Sequence, residues 1–139
     1  RMWEALENTS NLMKKDGLLY VALYTTTNKS EYWLNVKKKY NKASKIGKKR
    51  MEISYIIWHT IVPQLLRLKN PLTHIRNYGQ ERGMSYLTDV KDWLGGYPYE
   101  YAKIEEVLRF CRNKLSLELV NIKTGEANTE YLFQKRNQI

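Results

Sequence analysis

The chain has a single cysteine, Cys111, among its 139 residues. That excludes an internal disulfide and a cysteine-based zinc site. Its two histidines, His59 and His74, lie in helical patterns among apolar residues. No carboxylate or third ligand is spaced to join them, so no metal site is expected. Long apolar runs are missing too. The longest apolar region, residues 53–68, is interrupted by His59, Pro63, Gln64 and Arg67. No stretch reaches the ~18 uninterrupted apolar residues of a spanning helix. Residues 1–16 carry polar side chains throughout, unlike a secretory leader. The chain is expected to be cytoplasmic and not transmembrane. It opens at Arg1 directly in a helical pattern, and is expected to be a piece of a longer protein.

Hydrophobic residues make up 42% of the chain and aromatics 12%, enough for a packed core. Acids are scarce beside bases: 14 Asp and Glu against 24 Lys and Arg, a formal charge of +10. Most of the excess sits in one segment, 37–50. Lys37, Lys38, Lys39, Lys42, Lys45, Lys48, Lys49 and Arg50 follow one another there with no acid between them. Such a segment is either a solvated helix face or a contact for an anionic partner: nucleic acid, an anionic membrane surface or a phosphorylated substrate. Trp33 and Tyr40 interleave with it.

Residues 2–13 read as a helix with Met2, Leu6, Leu12 and Met13 inward. Asp16 and Gly17 mark a turn. Residues 18–24, LLYVALY, are short and apolar on both faces, which predicts a strand buried on both sides. Helix, turn and buried strand make half of an α/β unit. Ligands in open α/β sheets bind where strands end, so Tyr24 and the loop 25–29 are of interest. Ser30 is placed to cap a helix running through Tyr40, which Gly47 interrupts. Two apolar stripes come next, one on Ile53, Ile56, Ile57, Ile61, Leu65 and Leu68, the other on Tyr55, Trp58, Val62 and Leu66. Each stripe calls for its own packing partner, and Pro63 should kink or restart the helix. Pro71 opens a short helix ending near Gly79. Residues 83–100 read as irregular. Residues 103–114 read as a helix with Val107 and Cys111 inward. Residues 115–122 and 131–135 read as two strands, antiparallel because few residues join them.

The most specific text is Asp89-Val90-Lys91-Asp92-Trp93-Leu94-Gly95-Gly96-Tyr97-Pro98-Tyr99-Glu100. It resembles a D-x-x-D-W-L-G-G-Y-P-[FY]-E segment of a bacterial family of class I S-adenosylmethionine-dependent methyltransferases. The order of elements around it is similar over nearly the whole chain. The resemblance implies an α/β fold, the C-terminal part of a Rossmann-like sheet, with residues 18–24 as the fifth of seven strands. That strand should be central, with 131–135 antiparallel beside it and 115–122 outside. It implies three regions: 1–29, a helix and the buried strand; 30–82, an inserted basic helical cap; and 83–139, the segment, a helix and the closing strand pair. It implies S-adenosylmethionine as cofactor and a small-molecule acceptor, with oxygen as the target atom. The chain departs from the family at Thr124-Gly125-Glu126-Ala127-Asn128-Thr129-Glu130, where a Gly-rich stretch and Asn-Glu are usual. The Gly-rich loop and ribose-holding acid that cradle the cofactor in the family are not in this chain, so its cofactor-contacting residues stay unknown.

On that reading, Asp92 and Glu100 are candidate general bases on the acceptor. Tyr24, Asp89, Trp93, Gly95, Gly96, Tyr97 and Tyr99 are candidate acceptor-pocket residues. Each has a plainer role open to it. Gly95-Gly96-Tyr97-Pro98 makes a tight turn, the carboxylates suit caps or ion pairs, and Tyr24 and Cys111 suit a core. Two rival functions stand beside the enzyme: a basic helical module for nucleic acid or an anionic membrane, and a piece with no activity of its own.

Overall fold

A computed structural model describes residues 1–125 and 127–136. Glu126, in the stretch that departs from the family, and the last three residues of the 83–139 region lie outside them. The chain divides into two compact units, one of residues 1–30 with 100–139 and one of residues 31–99.

The first unit is a four-stranded mixed sheet with two helices. Its elements are α1 (Met2–Leu12), β1 (Leu18–Thr25), β2 (Tyr101–Ala102), α7 (Ile104–Leu115), β3 (Leu117–Thr124) and β4 (Asn128–Lys135). The strand order is β2-β1-β4-β3. β4 is antiparallel to both neighbours, with Val21 opposite Tyr131 and Leu119 opposite Phe133. β2 adds a two-residue parallel pairing at Tyr24 and Thr25. The expected placement of the three longer strands is therefore met, and β2 is an addition that its two-residue length hid.

Alternation along β4 sends Thr129, Tyr131 and Phe133 to one face, where they are buried. Opposite them in register, Leu19, Val21 and Leu23 of β1 pack on the same core with Leu6, Val107, Cys111 and Leu117. Each such side chain, fully buried, contributes about 1.5–3 kcal/mol. Trp3 of α1 tilts against Phe110 of α7 with ring centroids 4.8 Å apart. Lys103, the N-cap of α7, has its backbone N–H bonded to Glu106 at 2.9 Å, closing the helix start.

Two expectations for this unit are corrected. β1 is not buried on both sides: its residues alternate between exposed and half-buried, with Leu18 62% and Tyr20 64% exposed. The core lies on one face only, and on the other the Tyr20 hydroxyl donates to Glu130 at 2.8 Å. Tyrosine tolerates this because its ring is apolar and its tip is polar. Leu12 does not face inward but is exposed, because α1 ends there and the extended Met13 takes the inward place. In addition, Leu115 closes α7 and does not belong to β3.

The second unit is helical: α2 (Ser30–Lys42), which enters it from Ser30, α3 (Lys45–Ile56), a π-helical turn (Ile57–Ile61), α4 (Val62–Leu66), α5 (Pro71–Arg82) and α6 (Tyr86–Gly95). Tyr40, Tyr86, Val90 and Leu94 form its core, with Val36, Tyr55, Ile56 and Ile75 packed against them. The buried Tyr40 hydroxyl donates to Glu52 at 2.7 Å. Ser44, not Gly47, marks the break between α2 and α3, and its side chain accepts from Gly47 N–H at 3.2 Å. Asn70 caps α5, and Gly83 ends it with φ of 73°, so the helix runs one turn beyond Gly79.

The stripes on residues 53–68 do not each find a partner. Ile53, Ile57, Trp58, Leu65, Leu66 and Leu68 are all exposed. For Leu65 and Leu66 the cause is the π-helical turn before Pro63, while Ile53 precedes that turn and Leu68 follows the end of α4. Proline lacks an N–H and crowds the carbonyl four residues back, and the wider turn accommodates it. The inserted residue rotates the downstream helix by about 100°, so a stripe counted on one continuous helix loses its phase. Residues 83–100 are not irregular either: Ser85 caps α6, and Tyr86, Val90 and Leu94 at i, i+4, i+8 form its buried face. The segment 83–99 packs with the helical unit, whereas the sequence grouped it with the closing strands.

Candidate functional site

Asp89 and Trp93 lie one turn apart on α6 and line a cavity of ≈ 300 Å³ within the helical unit. Tyr55, Thr60, His74, Tyr78, Arg82 and Tyr86 line it too. The α3 helix and the π-helical turn deliver Tyr55 and Thr60, α5 delivers His74, Tyr78 and Arg82, and α6 delivers the rest. Thr60 and Tyr86 share a hydroxyl–hydroxyl hydrogen bond of 2.5 Å. The Tyr78 hydroxyl donates to the Asp89 carboxylate, and Arg82 stands 3.8 Å from it. Tyr78 and Tyr86 meet edge to face with centroids 5.2 Å apart. Burial pushes the Tyr55 phenol up to about 12, and the nearby Tyr86, Asp89 and Tyr78 add to the shift. Burial and Asp89 also raise Tyr86, against the hydrogen bond with Thr60. These phenols keep their protons at neutral pH. The indole Nε1 of Trp93 is buried with no hydrogen-bond partner among the described residues.

The other end of α6 is a docking joint. Lys37 of α2 is almost fully buried and donates to the carbonyl of Trp93. Its ammonium lies 4.4 Å from the Trp93 ring centroid and 5.2 Å from that of Tyr99. Burial lowers its pKa, and the Asp92 charge opposes that. Asn41 donates to the Gly95 carbonyl at 3.0 Å. Two side chains of α2 thus satisfy carbonyls that the end of α6 leaves open. A Cβ on Gly95 would stand 3.3 Å from the Tyr40 ring, and one on Gly96 would stand 3.0 Å from the Asp92 carbonyl oxygen. The glycine pair admits this close seating, and the cis peptide Tyr97–Pro98 comes directly after it. Lys37 is therefore no part of a solvated basic face, which corrects the sequence reading of the 37–50 segment. The neighbouring Lys38, Lys39, Lys42, Lys45, Lys49 and Arg50 are exposed.

The nine residues singled out in the sequence fall into three groups. Asp89 and Trp93 share the cavity. Asp92, Gly95, Gly96, Tyr97 and Tyr99 sit at or beyond the end of α6, with Asp92 and Tyr97 exposed and Tyr99 buried. Tyr24 and Glu100 belong to the sheet unit. Tyr24 is the last residue but one of β1, opposite Tyr101 and Asn128. Glu100 is exposed and directly precedes β2. The sequence reading missed Tyr55, Thr60, Tyr78, Arg82 and Tyr86. The signal available was tyrosine density, with His74, Tyr78 and Arg82 at successive four-residue steps.

The sheet unit has a larger hollow of ≈ 570 Å³ beside β3. Its Glu118 and Arg136 pair with each other, and Arg112, Asn113 and Ser116 line it beside them. Among the described residues no group of three or more His, Cys, Asp and Glu is placed to hold a metal, and no helix is long and apolar enough to cross a membrane. No protein-family model, curated protein or solved structure matches the chain significantly.

Proposed function

We propose that this chain supplies the closing strands and an inserted helical lobe of a class I S-adenosylmethionine-dependent methyltransferase acting on a small-molecule acceptor, with oxygen as the target atom. What carries the reading is the strand order β2-β1-β4-β3 with β4 antiparallel to both neighbours. It agrees with the arrangement that the D-x-x-D-W-L-G-G-Y-P-[FY]-E resemblance implies. The loop 25–29 at the end of β1 carries no glycine, and the cofactor-contacting residues are assigned to a part of the protein outside this chain. The contribution of this chain lies on the acceptor side, where residues bind, orient and exclude water. Asp89 and Trp93 hold the acceptor. Asp92 and Glu100 remain the candidates for orienting or deprotonating it.

The test has two stages. A coding sequence upstream of Arg1 should contain a Gly-rich loop after a strand, with an acid about 20 residues further on. The longer product should bind S-adenosylhomocysteine in calorimetry, and Trp93→Ala or Asp92→Asn should reduce turnover while sparing that binding. An upstream frame without the loop, or a longer product that does not bind, ends the reading.

A second reading is favoured by one observation. The exposed Lys38, Lys39, Lys42, Lys45, Lys49 and Arg50 share the helical unit with the exposed Trp58, Leu65, Leu66 and Leu68, a combination suited to an anionic membrane surface. Retention on anionic liposomes should then weaken steeply with salt and fall when Lys38, Lys39 and Lys42 are neutralised. Retention indifferent to both removes this reading.

A further inference from the structure

The helical unit has a second hollow, a groove of ≈ 420 Å³ rich in aromatic rings. Tyr32, Trp33 and Lys39 of α2, Tyr55 of α3, and Trp58 and His59 of the π-helical turn line it. Trp33 and Tyr55 are half-buried and held in place: Tyr55 stacks on His59 with centroids 4.5 Å apart, and Trp33 stands 5.7 Å from His59 and 6.3 Å from Tyr55. Tyr32 and Trp58 line the same groove yet stay 58% and 66% exposed. Large rings left open beside a fixed aromatic wall gain from a planar partner. The charge of the groove has one sign. Lys39 lines it, and no Asp or Glu does so among the described residues. The exposed Lys42 stands one turn beyond Lys39 on α2, and the exposed Arg50 one turn before the groove residue Ser54 on α3. Glu52 of α3 is committed elsewhere, buried against the Tyr40 hydroxyl. We infer that this groove binds a planar aromatic anion, its ring against Tyr32 and Trp58 and its negative group on Lys39.

Size, ring content and charge set the class. The volume lies within the range of small-ligand clefts and takes a ring system with one substituent. Aromatic faces also attract cations, but a cation here would meet the Lys39 ammonium with no carboxylate to offset it. A neutral ring gains the stacking alone. An anionic group on the ring adds a charge-assisted contact with Lys39 and the field of Lys42 and Arg50. An aromatic carboxylate and a nucleoside phosphate share this chemistry. The inference rests on neither functional reading above, because the chain binds this ligand with no S-adenosylmethionine and no membrane surface present.

The experiment titrates the chain as it stands with 1-naphthoate and, separately, with adenosine 5′-monophosphate. Calorimetry gives the affinity, and the indole resonance of Trp58 in 15N-labelled chain, assigned by its loss in Trp58→Ala, gives the place. A saturable shift of that resonance is expected. Naphthoate alone bound identifies a carboxylate ligand, the nucleotide alone a phosphate ligand, and both together the shared class. Lys39→Gln and Trp58→Ala should each weaken binding by about tenfold, and Lys39→Arg should retain it. Both side chains are exposed, so neither change threatens the core. Lys114→Gln in the sheet unit should leave the affinity unchanged. No saturable shift with either probe overturns the inference. So does an affinity that Lys39→Gln or Trp58→Ala leaves unaltered, or binding of 1-naphthylmethylammonium as tight as that of naphthoate.

Discussion

The ammonium of Lys37 lies 4.4 Å from the centroid of the Trp93 ring while donating to that residue's own carbonyl. One side chain thus joins α2 to α6 by a cation–π contact and a helix-terminal hydrogen bond. Removing it leaves a carbonyl of the docking joint unsatisfied and a void beside two aromatic rings. Lys37→Ala should destabilise the helical unit by roughly 2–3 kcal/mol. Lys37→Met, which keeps the stem, should cost less, about 1 kcal/mol. Urea melts followed by tryptophan fluorescence measure both. Equal stabilities for the two variants and the parent chain would show that the joint holds without Lys37.

The glycine pair makes a second, ordered prediction. The Cβ of Gly96→Ala would meet a backbone oxygen at 3.0 Å, whereas that of Gly95→Ala would meet the edge of a tyrosine ring at 3.3 Å. A backbone atom yields less readily than a ring. Gly96→Ala should therefore cost about 1–3 kcal/mol, and Gly95→Ala should cost less, helped by better helix propensity at the end of α6. The reverse order in thermal melts would contradict this seating of α6 on α2.

The pairing of β3 with β4 was legible in the sequence, because a short connection favours antiparallel neighbours, whereas the place of β4 beside β1 followed from the resemblance alone. The side of β1 that is covered was not legible: LLYVALY has no polar break, and two tyrosines supply the exposed face that alternation normally shows with charges. The helical unit was misread at its irregular turn, since the π-helical turn before Pro63 resets the phase between α3 and Leu65, and Leu68 falls past the end of α4. At the site, Asp89 and Trp93 stood out through their motif. Tyr55, Thr60 and Tyr86 come from distant segments, and only tertiary packing of α3, the π-helical turn and α6 brings them to one cavity. Lys37 was masked by its company, since nothing in a run of lysines distinguishes the one that turns inward.

The sheet has an incomplete edge. β2 covers β1 only at Tyr24 and Thr25, and no other described strand pairs with that side of β1. The exposed Leu18 and Tyr20 lie on the same strand. Unpaired backbone groups beside apolar side chains favour edge-to-edge association. Sedimentation of the isolated chain should show self-association that grows with concentration. Leu18→Lys together with Tyr20→Lys should suppress it and leave the melting free energy within about 0.5 kcal/mol per site. A monomer at every concentration would mean that the short β2 pairing protects the edge well enough.

The last prediction concerns alkaline pH and separates the two units. Burial pushes the Cys111 thiol up to about 11 from its ordinary 9.0. In the helical unit burial, with Glu52 adding to it, pushes the Tyr40 phenol up to about 12 from 10.0, and Tyr55 reaches about 12 as well, chiefly through burial. A group whose folded pKa lies above its unfolded value keeps its proton in the folded state when the unfolded chain has lost it. The unfolded state then binds fewer protons, and stability falls as pH rises. The Cys111 contribution is intact below pH 9.0 and is lost progressively as pH climbs through about 11. The tyrosine contributions are intact below pH 10.0 and are lost on the way to about 12. Lys37 acts with the opposite sign, since burial lowers its pKa and the unfolded chain holds the proton longer, so its effect is a gain with rising pH below 10.5. The sheet unit should therefore weaken first. Denaturation at stepped pH, with thiolate and tyrosinate absorbance read alongside, tracks both processes. Cys111→Ala should abolish the earlier decline and leave the later one in place. A decline of unchanged onset in Cys111→Ala, or a thiolate that forms at its ordinary pH in the folded chain, would show that Cys111 is not shielded as its position under β3 and β4 requires.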